Sequence, residues 1–66
     1  MKIGDKIIVT KCLSQEYFSV GDVAVLNYIS AGIWWAEFER QGALECWCVG
    51  RNEPGGNYQF ATYTGP

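Results

Sequence analysis

The stretch Phe18-Ser19-Val20-Gly21-Asp22-Val23-Ala24-Val25-Leu26, followed by Ala31-Gly32-Ile33-Trp34-Trp35-Ala36-Glu37-Phe38, decides the fold of this chain. A glycine-aspartate turn feeds one apolar strand, and a second turn feeds a strand that opens with paired tryptophans. Gly supplies a backbone conformation that other residues resist, and Asp bonds back to nearby amides. β-branched and aromatic runs set between Gly, Asn and Ser are the pattern of strands, and no sustained 3.6-residue apolar period competes with it.

The same device occurs near the start. Ile3-Gly4-Asp5-Lys6-Ile7-Ile8-Val9 and Val20-Gly21-Asp22-Val23-Ala24-Val25-Leu26 both run apolar-Gly-Asp into an apolar strand. With side chains alternating faces, Ile7 and Val9 point one way, as do Ala24 and Leu26, and these are the expected inward pairs. Five strands follow, at 5–11, 22–29, 33–39, 44–49 and 58–63. Arg40-Gln41-Gly42 reads as a three-residue hairpin loop. Its register sets Phe38 against Leu44, Ala36 against Cys46 and Trp34 against Cys48, with Trp35 against Trp47 and Glu37 against Glu45 on the other face. The like-charged pair counts against that register. Pro54-Gly55-Gly56-Asn57 marks the remaining connection as irregular.

Three tryptophans, four tyrosines and three phenylalanines in 66 residues give a single domain, 1–66, the means to build a core despite its size. Charged residues make up 18 % and the net charge is −2, which argues against nucleic acid as a partner. Lys2, Lys6 and Lys11 fit a solvated strand edge better than a phosphate site. No apolar run is long enough to cross a bilayer, so no membrane is expected. The chain passes from Met1 straight into Ile3-Gly4-Asp5 without an apolar leader, so it reads as complete and cytoplasmic. Three cysteines, an odd number, suit a reducing compartment.

With these elements in hand, the middle of the chain resembles the SH3 domain family. Phe18–Leu26 is similar to that family's diverging turn and second strand, and Gly32-Ile33-Trp34-Trp35-Ala36 to its Gly-Trp-Trp-x-Ala strand. Gly42 falls at the distal hairpin, and Pro54-Gly55-Gly56-Asn57-Tyr58 is similar to the Pro-Ser-Asn-Tyr segment with one residue added. The resemblance spans about forty residues and implies an all-β, five-stranded, SH3-like partly open barrel. It departs where that family binds ligands. Ile33 occupies the ligand-contacting tryptophan position, a one-residue shift placing Trp34 there instead. The Ala-Leu-Tyr-Asp-Tyr strand is replaced by Ile7-Ile8-Val9-Thr10-Lys11.

The candidate site is therefore aromatic: Glu16, Tyr17, Trp34, Trp35, Trp47, Pro54 and Tyr58. Aromatics supply buried area and an acid supplies charge, the chemistry of a surface that takes a protein or an extended peptide. Trp35 and Trp47 are expected to stack on the outer face, either as a cross-strand pair or as an interface anchor. Cys46-Trp47-Cys48 and Cys12 lack the spacing and the fourth ligand of structural zinc, and buried inert thiols are the simpler expectation. Without histidine or a phosphate or nucleophile motif, no catalytic residue, metal or cofactor is expected. The function expected is a non-catalytic binding module, of the kind a small phage or bacterial accessory or inhibitor protein would be. The alternative is a self-associating assembly subunit, joined through the Trp35–Trp47 face or an open barrel edge, and a nucleic-acid-binding barrel comes third.

Overall fold

A computed structural model describes residues 1–13 and 16–65; Ser14 and Gln15, which belong to the expected first loop, and Pro66 lie outside it. Five strands follow one another: β1 (Lys6–Lys11), β2 (Val23–Ser30), β3 (Ile33–Arg40), β4 (Ala43–Gly50) and β5 (Gln59–Thr62). They form one antiparallel sheet in the order β4-β3-β2-β1-β5, and no helix occurs among the described residues. The edge strands β4 and β5 approach each other without sharing a ladder, so the sheet is not closed into a barrel.

Both Gly-Asp motifs fold as the same turn. The Asp5 carboxylate accepts from the Lys2 amide at 3.0 Å, while the Asp5 amide donates to the Lys2 carbonyl at 3.1 Å. The Asp22 carboxylate accepts from the Ser19 amide at 2.9 Å, and the Asp22 amide donates to the Ser19 carbonyl at 3.0 Å. Each turn then clamps the strand that follows the other. Gly4 N–H donates to Leu26 O and Leu26 N–H to Asp5 O, whereas Gly21 N–H donates to Val9 O and Val9 N–H to Asp22 O. The β1–β2 pair is thus closed at both ends by locally coded turns, related by an approximate two-fold axis.

The core holds Ile7, Val9, Phe18, Ala24, Leu26, Ala36, Phe38, Val49 and Phe60. Both expected inward pairs are in it. Burying each large side chain contributes roughly 1.5–3 kcal/mol. Phe18 stacks on Phe38 with centroids 4.9 Å apart, which ties the loop before β2 to β3. Among the described residues no polar side chain is buried.

The β3–β4 hairpin corrects the expected register. Arg40 pairs with Ala43, so the loop is the two residues Gln41 and Gly42, with φ of 52° and 82°. Two successive positive φ values define the tight turn whose twist suits a hairpin. One residue fewer in the loop flips every β4 side chain to the other face. Ala36 therefore faces Trp47, Phe38 faces Glu45, and Glu37 faces Cys46 rather than Glu45. The like-charge opposition disappears. A bulge between Trp34 and Trp35 then lets β4 carry an extra residue, and Val49 enters the core.

Candidate functional site

The flipped register separates the two tryptophans that were expected to stack on each other. Trp35 stacks instead on its neighbour in β2, Tyr28, with centroids 5.6 Å apart and planes 5° from parallel. Trp47 stacks on Tyr17, from the loop before β2, at 4.2 Å and 22°. Tyr17 is held there by the chain on its C-terminal side, since the adjacent Phe18 is anchored in the core. The Trp47 indole N–H donates to the Glu45 carboxylate at 3.2 Å, and Arg40 Nε lies 3.5 Å from that same oxygen.

Tyr58 arrives from the opposite end of the sheet. The Asn52 side-chain oxygen accepts from the Phe60 amide at 2.8 Å, which fastens the β4–β5 connection to β5. Within the connection, Glu53-Pro54-Gly55-Gly56 makes a tight turn closed by Gly56 N–H donating to Glu53 O, with Gly55 at a φ of 78°. Tyr58 packs against the core and its ring lies 6.2 Å from that of Phe18.

Glu16, Tyr17, Phe18, Trp35, Trp47, Cys48 and Tyr58 together line a groove of about 330 Å³. Five of the seven expected site residues therefore converge. The other two do not. Trp34 packs against the core, and Pro54 sits exposed on its turn outside the groove lining. Sequence reading passed over Phe18 and Cys48, the first read only as the start of the turn before β2 and the second assigned to the wrong face. A neighbouring hollow of about 270 Å³ shares Cys48 and Tyr58 with the groove and continues past Ile33, Arg51 and Asn57. The two hollows thus adjoin at Cys48 and Tyr58.

A larger hollow of about 420 Å³ lies among Ser19, Asp22, Val23, Phe38, Glu39 and Arg40. Two of its three charged groups are engaged with each other, Arg40 Nη2 lying 3.4 Å from Asp22 Oδ2, and its lining carries one aromatic ring against the five of the groove. Among the described residues no group of three or more metal-ligating side chains gathers. Cys46 is exposed, contrary to the expected burial, and accepts a long contact from the Asn27 amide at 3.4 Å. Lys2, Lys6 and Lys11 are all exposed and none lines the groove; Lys6 Nζ lies 5.9 Å from the centre of the Tyr63 ring. Among the described residues no helix is long and apolar enough to cross a membrane.

No protein-family model, curated protein or solved structure matches this chain. What the groove does must be argued from its own chemistry. Five aromatic residues give broad apolar faces, two phenols and the rim add hydrogen-bonding groups, and Glu16 adds an acid.

Proposed function

We propose that this chain is a non-catalytic, SH3-like binding module that takes an extended protein segment in the groove between Tyr17 and Tyr58. The observation that carries this reading is the convergence of Tyr17, Trp35, Trp47 and Tyr58, from four separate elements of the chain, on one groove. Rigid aromatic side chains bury large areas at low entropic cost, which is why they dominate binding hot spots. An extended segment suits two adjoining hollows, and a basic residue in it meets Glu16. The resemblance of Phe18–Leu26 and Gly32–Ala36 to SH3 domains supports the same reading. Three thiols in one small domain fit the reducing cytoplasm.

The test is an amide-resonance titration with two probes, a proline-rich peptide flanked by arginine and an alternating apolar-basic peptide. Shifts centred on Tyr17, Trp47 and Tyr58, lost in Trp47→Ala while the spectrum stays dispersed, are the expected result. Saturation with both probes and no shift at those three residues removes the groove as the binding surface.

A further inference from the structure

The hairpin register has a consequence on the far side of β4. In a two-residue hairpin the residues flanking the loop exchange both hydrogen bonds, and bonded and non-bonded pairs then alternate. Arg40–Ala43, Phe38–Glu45 and Ala36–Trp47 are therefore the bonded pairs. The backbone N–H and C=O groups of Leu44, Cys46 and Cys48 point the other way, out of the sheet. Among the described residues no backbone group outside β3 bonds to β4. Ala43, Leu44, Glu45 and Cys46 are all exposed, Leu44 at 65 %.

Open edges are ordinarily guarded by lysine, proline, a bulge or brevity. β5 is only four residues long. β4 has eight, with no lysine or proline, and its bulge comes after Cys48. Its single charge, Glu45, is compensated by Arg40 and hydrogen-bonded by Trp47, so it guards poorly.

We infer that β4 pairs antiparallel with β4 of a second copy of this chain, about a two-fold axis at Cys46. Only residues whose backbone points outward can form bonded pairs, which restricts the registers to a few. Centring on Cys46 sets Leu44 opposite the copy's Cys48 and uses all three outward residues of both strands. It also sets Glu45 opposite the copy's Trp47, whose indole N–H Glu45 already accepts within its own chain. Sliding by one step toward the loop opposes Glu45 to Glu45 and loses a bonded pair, which like-charge repulsion disfavours. The pairing ends at Cys48, where the groove begins. A two-fold contact closes on itself, giving a dimer with one ten-stranded sheet and no growing edge but β5.

The test uses the whole chain, kept reduced, in sedimentation equilibrium, with a short bismaleimide as thiol cross-linker. A reversible dimer is expected, with cross-linking through Cys46 because bonded pairs stand about 5.5 Å apart at Cα. Cys46→Ser should abolish the cross-link and leave the mass unchanged. Leu44→Lys, at an exposed side chain, should keep the circular dichroism spectrum and weaken association by about tenfold or more. A monomer at every soluble concentration overturns the inference. So does a dimer that still cross-links in Cys46→Ser, one indifferent to Leu44→Lys, or growth beyond two chains.

Discussion

Phe38 is the side chain on which both halves of the molecule lean. It is 2 % exposed, lies in the second half of β3, and carries the ring of Phe18 against it. Phe18 in turn fixes its neighbour Tyr17, which forms one wall of the groove. Truncating Phe38 to alanine removes about 3–5 kcal/mol, a large share of the roughly 5–15 kcal/mol that holds a domain together. The milder pair Phe18→Leu and Phe38→Leu is more instructive. A double-mutant cycle by urea denaturation should give a coupling of about 0.5–1.5 kcal/mol, the excess of a stacked pair over its area. Phe18→Leu should also loosen the Tyr17–Trp47 stack, seen as a red shift of tryptophan emission. A coupling near zero with unshifted emission would separate the core from the groove.

Among the elements, the end of β4 sets the groove's far wall. Gly50 has a φ of 80°, and a Cβ there would stand 2.7 Å from Cβ of Tyr58. Gly55, at 78°, has open space around it. Both glycine-to-alanine changes incur the left-handed penalty of roughly 1–2 kcal/mol. Only Gly50→Ala also pushes Tyr58 aside. It should therefore be the more destabilising of the two and should move the Tyr58 ring resonances, which Gly55→Ala leaves in place. Equal destabilisation with no Tyr58 shift would refute the close approach.

These elements also show where sequence is informative. The Gly4-Asp5 and Gly21-Asp22 turns were legible because all their bonds are made within four residues and to the strand beside them. The inward pairs were legible because alternation needs no knowledge of the partner strand. The face of Trp47 was not, since it depends on whether the loop at Gln41 has two residues or three. Gln41 itself carries no mark of its positive φ. The bulge at Trp34 and Trp35 was hidden for a similar reason: it is a property of two strands at once. Cys46 and Cys48 were thus placed together on the wrong side, and Phe18 was read only as the start of the turn before β2, without its place in the core or its role in seating Tyr17.

At the scale of the whole molecule, apolar packing and backbone ladders outweigh charge. Both ion pairs of Arg40, to Asp22 and to Glu45, join side chains that are 38–44 % exposed. Pairs of that kind contribute about 0–1 kcal/mol each and are screened by salt. Raising sodium chloride from low concentration to roughly 0.5 M should change unfolding free energy by no more than about 1 kcal/mol. A steep loss of stability with salt would mean that charge, and not the nine-residue core, holds the sheet together.

The tight hairpin at Gln41 and Gly42 makes the length of this loop decide which β4 side chains the groove presents. An insertion of a single residue there would swap the parity of everything up to the bulge, withdrawing an indole from beside Tyr17 and presenting a thiol in its stead. The lining of the groove is then open to change by an indel three nucleotides long, with no side chain in it replaced.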